Sequence, residues 1–297
     1  MEWTECLMKA VNFIENHLME DIGAEEAAVA VSMSVFYLHK GFGMVTGYTL
    51  KEYIRCRRLY LAALDVLRGE EKIVDQAYKY GYETPESFTK AFSLFHGVPP
   101  AGLKKDARRI RPFLPLRISI TIQGGNDMDH VVEKMNGFQV IGFEKTFAYE
   151  DAYREIPLFW VEFFEKYGHI MRSTAKPTTA VETAIRKNAV GEYGVCVEDS
   201  GKEGSFRYLI AGRYTGGETP EGMVTFRFPD LLWAKFRCSG ALPGALQAVN
   251  TAIYREWLPG NIDYKIAMGA NIEWYSCGDT AAADYESAIW MPVERKE

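Results

Sequence analysis

Cysteine is scarce in this sequence, with five residues among 297. No two cysteines form a C-x-x-C pair, and the five histidines do not cluster with them. The cysteines are Cys6, Cys56, Cys196, Cys238 and Cys277. Their spacing argues against a zinc-finger pattern and against a disulfide framework. We therefore expect reduced thiols and no metal site.

Long apolar runs are also lacking, as are catalytic signatures. No run reaches the roughly 20 apolar residues that span a bilayer, and the N-terminus MEWTECLMK lacks a signal-peptide pattern. The sequence has no Walker loop, no G-x-G-x-x-G, no H-E-x-x-H and no Ser-His-Asp spacing. We therefore expect a cytoplasmic protein that has no membrane partner, no cofactor and no catalytic residues.

Positive charge is in the minority, with 34 Lys and Arg against 40 Asp and Glu. Residues 1–111 hold 15 charges of each sign, whereas the rest of the chain holds 19 cations and 25 anions. A neutral first region can bind nucleic acid only if its cations face one way. The cations that would form such a face are Arg55, Arg57, Arg58, Lys104, Lys105, Arg108, Arg109 and Arg111.

One predicted helix organises the first third of the chain. The apolar residues of LKEYIRCRRLYLAALDVL, residues 50–67, recur at helical spacing. Thr49 is placed to cap this helix and Gly69 to end it. A short helix pair with a turn lies on either side, over residues 23–47 and 72–100. Two helix-turn-helix units joined by one long helix predict two DNA-reading helices at a fixed separation.

The segments GYTLKEYIRCRRLYLAALDVL and IVDQAYKYGYETPESFTKAFSLFHGVPPAGLKK resemble the DNA-binding domain of the AraC/XylS family of bacterial transcription regulators. The resemblance implies that both recognition helices enter successive major grooves of promoter DNA. It implies, by position, that the contact residues are Phe36, His39, Lys40, Glu86, Ser87 and Lys90, and the basic face adds Arg55. Lysine pairs well with guanine, so Lys40 and Lys90 are the expected base-reading residues. The first recognition helix departs from the family because it carries Gly41 and Gly43 and lacks the usual arginine or glutamine.

The periodicity changes from helical to alternating after the basic, proline-containing junction at residues 108–115. We therefore expect a DNA-binding domain over residues 1–111 and a second domain over residues 112–297. Strands are predicted at residues 116–122, 131–132, 138–143, 193–197, 206–214, 223–228, 232–238, 272–275 and 287–291, and helices at 157–167 and 245–258. The expected fold is an all-α double helix-turn-helix domain followed by an α+β domain of two strand-helix-strand-strand repeats in an antiparallel sheet. Two such halves would leave a ligand groove between them.

The second domain is rich in tryptophan and tyrosine, and its closing strands contain a carboxylate among them. Alternation places Glu273 and Tyr275 on one face of a strand and Trp274 on the other. A carboxylate in an aromatic-lined groove would suit a lipophilic cation. The candidate ligand-binding residues are Glu273, Tyr275, Trp160, Tyr149, Phe163, Tyr208 and Trp233. The alternative is a surface glutamate at a strand edge, with the aromatic residues filling the core.

The segments NGFQVIGFEKTF, EIPLFWVEFF and ANIEWYS, together with YESAIWMPV, resemble the GyrI-like class of effector-binding domains. In that class a buried glutamate on the strand before the last helps to hold cationic, hydrophobic drugs or dyes, and Glu273 matches that position. The resemblance thus implies a small hydrophobic cation as effector.

Three functions fit these observations. The first is a bacterial transcription regulator that binds double-stranded promoter DNA as a monomer or homodimer, senses a small molecule, and contacts RNA polymerase. The second is a hydrolase with Glu273 as base. The third is a drug- or dye-binding protein whose DNA-binding helices are weakened, which the two glycines favour.

Overall fold

The computed structural model describes residues 3–118, 128–172, 176–198 and 204–296. These residues divide into two compact units, one of residues 3–33 and 46–118 and one of residues 34–45 and 128–296. The predicted domains, 1–111 and 112–297, stay a prediction. The compact units differ from them chiefly in residues 34–45, which join the second unit.

The N-terminal part of the chain is helical, as predicted. Its helices are α1 (Trp3–Asn16), α2 (Ala24–Ala30), α3 (Val35–Thr46), α4 (Leu50–Arg68), α5 (Ile73–Lys79), α6 (Pro85–His96) and α7 (Pro100–Lys105), followed by a 3₁₀ turn at Ala107–Arg109. All of them except α3 lie in the first unit, and α3 lies in the second apart from its last residue.

Helix α4 begins and ends at the residues that the sequence indicates. The Thr49 hydroxyl oxygen accepts from the Glu52 backbone N–H at 3.1 Å, and the Glu52 carboxylate accepts from the Thr49 N–H at 2.9 Å. This reciprocal capping box satisfies two N–H groups that the first turn leaves free. Gly69 ends the helix with φ = 77°, a left-handed conformation that glycine adopts without strain.

The apolar stripe of α4 packs with α5, α6 and α7. The buried cluster consists of Leu59, Ala62, Ala63, Val66, Ala77, Tyr80, Phe88, Phe92, Val98 and Leu103. Because Phe88 and Phe92 are one turn apart on α6, their burial leaves the opposite side of α6 for solvent. This packing orients the second predicted recognition helix.

An ion pair joins α1 to α4 and removes one predicted cation from the basic face. The Arg57 guanidinium donates to both Glu15 carboxylate oxygens at 2.8 Å, and also to the Phe113 carbonyl. Tyr53 donates to the same carboxylate at 2.6 Å. Arg57 is buried, so it stabilises the helical unit and does not face DNA. The neighbouring Arg58 is likewise engaged, because it donates to the carbonyls that follow α1.

Replacing Glu15 by glutamine should therefore lower the free energy of unfolding of the helical unit. Glutamine keeps the shape but removes the charge that compensates a buried guanidinium, so we expect a loss of about 2 kcal/mol. Urea unfolding followed by circular dichroism measures it. Glu5→Gln is the control, because its ion pair with Lys9 is about half exposed on both sides and should contribute at most about 0.5 kcal/mol. Equal losses for the two variants would contradict the structural role of Glu15.

The rest of the second unit is an antiparallel sheet with helices. Its elements are β1 (His130–Met135), β2 (Phe138–Ala148), α8 (Ala152–Arg172), α9 (Ala180–Lys187), β3 (Tyr193–Glu198), β4 (Ser205–Arg213), β5 (Val224–Phe228), β6 (Leu231–Ser239), α10 (Gly244–Ala252), β7 (Tyr264–Ile266), β8 (Ala270–Tyr275) and β9 (Glu286–Arg295). A π-helical turn, Ile253–Trp257, and a short helical turn, Leu258–Gly260, continue α10. The strand predicted at 116–122 is not formed at 116–118, and its remainder lies outside the described residues.

The strand order β1-β6-β9-β8-β3-β4-β2-β5 confirms the predicted duplication, with β7 paired to β9. The first repeat is β2-α8-β3-β4, with α9 following α8, and the second is β6-α10-β8-β9. The halves meet where β3 pairs with β8. Residues on these two strands therefore lie at the centre of the sheet.

The two faces of the sheet differ in chemistry. One face carries an apolar cluster that includes Tyr193, Val195, Trp233 and Ile272. Side chains of directly paired residues share a face, so Gly194 lies beside Glu273 and Cys196 beside Asn271. We call the face that carries Gly194, Cys196, Glu198, Asn271 and Glu273 the carboxylate face.

Candidate effector site and DNA-contacting helices

Glu273 is the centre of a hydrogen-bonded cluster on the carboxylate face. Its Oε2 accepts from the Tyr208 hydroxyl at 3.0 Å and from the Tyr275 hydroxyl at 2.9 Å. The Trp160 Nε1–H donates to the Tyr208 hydroxyl at 2.9 Å. Strands β4 and β8 and helix α8 thus bring four of the predicted ligand residues together.

The tyrosines of this cluster act as hydrogen-bond donors. Burial, and secondarily the Glu273 charge, raise the pKa of Tyr208 well above its ordinary value. The same two causes raise the pKa of Tyr275. Both hydroxyls therefore keep their protons at neutral pH and donate to the carboxylate. Both of these hydrogen bonds end on Oε2.

Aromatic rings of α8 contact the hydrogen-bonded cluster around Glu273 through Trp160. The Trp160 ring makes edge contacts with Tyr275, at a centroid distance of 5.3 Å, and with Phe163, at 6.0 Å. It stacks on Phe164 at 5.5 Å. A cation next to Glu273 would lie close to these ring systems, where cation–π attraction adds to charge pairing.

Gly194 makes the close packing of this cluster possible. A Cβ at this position would lie 2.1 Å from the Tyr208 hydroxyl oxygen and 2.9 Å from Glu273 Oε2. A glycine inside a strand indicates close approach of another group, so the sequence held a signal for this residue that the prediction did not use. Asn271, Glu198 and Phe206 have no comparable signal, because only the strand pairing places them on this face.

Two predicted ligand residues lie elsewhere. Trp233 is fully buried in the apolar cluster, with its ring against Phe138 and Phe228. It is three residues from Phe236, which shares the face of Glu273 through the pairing of β6, β9 and β8, so Trp233 points to the opposite face. Its placement matches the alternative that some of the aromatic residues fill the core. Tyr149 follows β2 and stacks on Phe206 at 5.2 Å.

The second predicted recognition helix, α6, presents its predicted contact residues. Glu86, Ser87 and Lys90 are all exposed, on the side opposite the buried Phe88 and Phe92. Thr84 caps the helix by accepting from the Ser87 N–H at 3.1 Å. Arg55 on α4 is exposed as well. These residues are available to DNA.

The first predicted recognition helix, α3, differs. Phe36 is 1 % exposed and His39 is 8 % exposed, because both pack inside the second unit. The Lys40 ammonium is half-buried and donates to Asn271 Oδ1 at 3.0 Å. In this conformation none of the three is presented to a base edge, contrary to the sequence expectation.

Residues 132–293, more than half of the chain, match the family described as "Cass2: Integron-associated effector binding protein". The chain belongs to the Cass2 family. Residues 27–106 match a helix-turn-helix domain model. The Cass2 domain of this chain is thus a GyrI-like effector-binding domain that follows an AraC-type helix-turn-helix region.

The relatives of the helix-turn-helix region include transcription regulators. The HTH-type transcriptional regulator YbfP of Bacillus subtilis is 34 % identical over 109 residues, so the match spans only 37 % of each chain. SoxS of Salmonella typhimurium is 33 % identical over 92 residues, 31 % of this chain and 86 % of SoxS. The right origin-binding protein of Escherichia coli is 31 % identical over 110 residues, 36 % of this chain and 37 % of that protein.

Solved structures that resemble part of this chain include SAV2435 bound to tetraphenylphosphonium. It is 19 % identical and covers 56 % of this chain and 94 % of its own, with a TM-score of 0.46. The Vibrio cholerae integron cassette protein Cass2 is 17 % identical and covers 56 % and 95 %, with a TM-score of 0.39.

Among the described helices, none alone has the length and apolar content to cross a membrane. The bent pair α2 and α3 meets that criterion only when the two are taken together.

Proposed function

We propose that this protein is a ligand-responsive transcription regulator whose effector is a bulky, hydrophobic cation bound at Glu273. The observation that carries the proposal is the placement of one carboxylate at the centre of the sheet. Two tyrosine hydroxyls hold it and Trp160 lies beside it. The AraC-type region supplies the DNA-binding part.

The chemistry of the cluster favours a cation over a neutral ligand. Tyr208 and Tyr275 orient the carboxylate but add no positive charge, so the charge of Glu273 remains for the ligand to compensate. A large aromatic cation is weakly hydrated and loses little on leaving water. It therefore gains from both Glu273 and the rings of Trp160 and Tyr275.

In this proposal Glu273 binds and does not catalyse. A glutamate that acts as a base needs a position from which it can remove a proton from the substrate or from a water molecule. Here it already accepts two hydrogen bonds from tyrosines that keep their protons. The hydrolase alternative predicts that the wild-type protein hydrolyses a substrate and that Glu273→Gln abolishes this turnover. We expect no turnover in the wild-type protein or in the variant.

DNA binding coupled to ligand tests the proposal directly. The probes are a labelled duplex from upstream of the protein's own gene, followed by fluorescence anisotropy, and tetraphenylphosphonium as the cation. We expect binding that weakens steeply with salt, because phosphate contacts release counterions, and a DNA affinity that changes when the cation is added. A DNA affinity that does not change with salt concentration, or that does not change when tetraphenylphosphonium saturates the protein, would contradict the proposal.

Lys90 should carry much of the base recognition. Lys90→Ala is expected to weaken binding to the preferred duplex about 5- to 100-fold, the range for one good base contact, and to reduce discrimination between duplexes. Lys9→Ala is the control, because Lys9 is an exposed cation on α1 whose charge is paired with Glu5. The same proportional loss of affinity on every duplex would indicate that Lys90 contacts phosphate and not a base. Unchanged affinity would indicate that Lys90 does not contact DNA.

The remaining partners belong to the same proposal. A regulator of this kind works at the nucleoid, so we place the protein in the bacterial cytoplasm. Contact with RNA polymerase, and a monomeric or homodimeric state, stay predictions.

A further inference from the structure

Helix α3 belongs to the helix-turn-helix match by sequence but packs in the second unit. At its N-terminal end the Phe36 backbone N–H donates to Glu198 Oε1 at 3.2 Å. The first turn of α3 contains no acidic residue of its own. Strand β3 therefore supplies the anion that the positive end of the helix favours.

The C-terminal end of α3 has the complementary arrangement. Arg255, which follows α10, donates from Nε to the Met44 carbonyl at 2.9 Å and from Nη2 to the Val45 carbonyl at 3.5 Å. The last turn of α3 contains no basic residue. Both ends of the helix are thus satisfied by charges of the correct sign from the rest of the second unit.

The middle of α3 places a cation on the carboxylate face. Lys40 donates to Asn271 Oδ1 at 3.0 Å, and Asn271 is buried. Asn271 and Glu273 are alternate residues of β8, so their Cα atoms are about 7 Å apart on the same face. The Tyr37 hydroxyl donates to the Ala270 carbonyl on the same strand. An ammonium group therefore lies on the same face of β8 as Glu273, hydrogen-bonded to the residue two positions before it.

Aromatic contacts extend this surface to a predicted ligand residue. His39 stacks on Tyr149 at 4.2 Å with an interplanar angle of 12°. The Phe36 ring lies 5.7 Å from Phe206 and 6.3 Å from Tyr149. Helix α3 thus covers Tyr149, one of the predicted ligand residues. The α3-binding surface is formed by Tyr149, Glu198, Phe206, Arg255 and Asn271.

We propose that α3 is a tethered competitor of the effector: while it occupies the α3-binding surface, it cannot read DNA, and a bulky cation on the carboxylate face displaces it. This inference rests on the proposed function and adds its regulation. Lys40 and the rings of α3 resemble the effector in chemistry, a cation among aromatic groups. The same residues are the ones that the family resemblance assigns to DNA.

Competition between α3 and the effector determines whether the effector raises or lowers the affinity for DNA. The effector and DNA both bind the state in which α3 is released, so each raises the affinity of the other by the same factor. The effector therefore strengthens DNA binding. A protein in which the released state is more populated needs less effector to reach the same DNA affinity.

Weakening the surface without touching α3 tests the proposal. The double variant Glu198→Gln/Arg255→Gln removes the charge from both end contacts at no change in net charge and leaves every predicted DNA contact intact. We expect the full-length variant, without effector, to bind the promoter duplex about three- to tenfold more tightly than wild type. We also expect a smaller further gain on adding tetraphenylphosphonium. The control is Glu286→Gln/Arg237→Gln, which removes an exposed ion pair between β6 and β9 in the same unit and should leave DNA affinity unchanged.

A second measurement reports on α3 without DNA. Tetraphenylphosphonium should speed hydrogen exchange of the α3 amides in the wild-type protein by at least about tenfold, because released helices exchange faster. Unchanged or slower α3 exchange in the protein saturated with tetraphenylphosphonium would overturn the proposal, as would equal DNA affinities of wild type and the Glu198/Arg255 variant.

The two measurements also separate this inference from the function on which it rests. If neither protein binds DNA, the regulator function fails, and α3 exchange alone decides whether the cation displaces the helix. If tetraphenylphosphonium does not bind, the proposed effector class fails. The DNA affinities of wild type and of the Glu198/Arg255 variant then decide whether the α3-binding surface restrains the helix.

Discussion

Glu273→Gln is expected to lower the affinity for tetraphenylphosphonium about 10- to 100-fold. The variant replaces a carboxylate by a neutral amide of nearly the same shape. A charge pair at about 4 Å in a partly buried site has a gross interaction of roughly 4 kcal/mol, of which about half survives desolvation of the carboxylate, hence about 1.5–3 kcal/mol net. The dissociation constants follow from titration calorimetry or from quenching of Trp160 and its neighbours.

A neutral ligand of similar bulk makes this test specific. Triphenylphosphine oxide carries aromatic rings but no net charge, so Glu273→Gln should change its affinity by less than about threefold. The amide oxygen of the substituted side chain can still accept from Tyr208 and Tyr275, which keeps the cluster in place. Equal losses for the two ligands would mean that Glu273 maintains the structure of the site and does not select charge.

Gly142→Ala is expected to lower the free energy of unfolding of the sheet by about 3 kcal/mol or more. Gly142 on β2 pairs with Ala211 on β4. A Cβ at this position would lie 2.1 Å from the Ile210 carbonyl oxygen and 2.7 Å from the Ala211 Cα. These are backbone atoms of the neighbouring strand, so no side-chain rotation relieves the clash and the strands must separate.

The same substitution at Gly168 is the matched control. Gly168 lies inside α8, and an added Cβ would meet only Phe164, at the ordinary contact distance of 3.8 Å. Alanine in a helix interior is favoured over glycine, so Gly168→Ala should be neutral or stabilising by up to about 1 kcal/mol. Thermal and urea unfolding monitored by tryptophan fluorescence measure both variants. A loss at Gly142 no larger than the change at Gly168 would show that β2 and β4 accommodate the methyl group.

Local chemistry made much of the fold predictable. Helices α4 and α6 have complete end signals, Thr49 with Gly69 and Thr84 with Gly97, and both begin and end where those residues indicate. Strand alternation likewise placed Trp274 with the apolar cluster and Glu273 on the other face. In each case residues adjacent in sequence decide the outcome.

The face that some residues occupy depends on strand pairing, which the sequence does not reveal. The face taken by Trp233 depends on the register of β6 with β9 and of β9 with β8, and neither register is readable from β6 alone. Helix α3 did contain a signal. Its sequence VFYLHKGFGMVT has one charged residue and is apolar on nearly every side, which is typical of a helix buried all round. The helix-turn-helix pattern alone assigns such a helix one buried side and one DNA-facing side.

The aromatic character of α3 has a consequence for the promoter. Phe36 and His39 must fit Tyr149 and Phe206, so arginine or glutamine at these positions would improve base reading but disrupt that packing. For the regulator proposed above, we expect promoter sequences with one strictly specified half-site, opposite α6, and an adjacent half-site that tolerates many sequences.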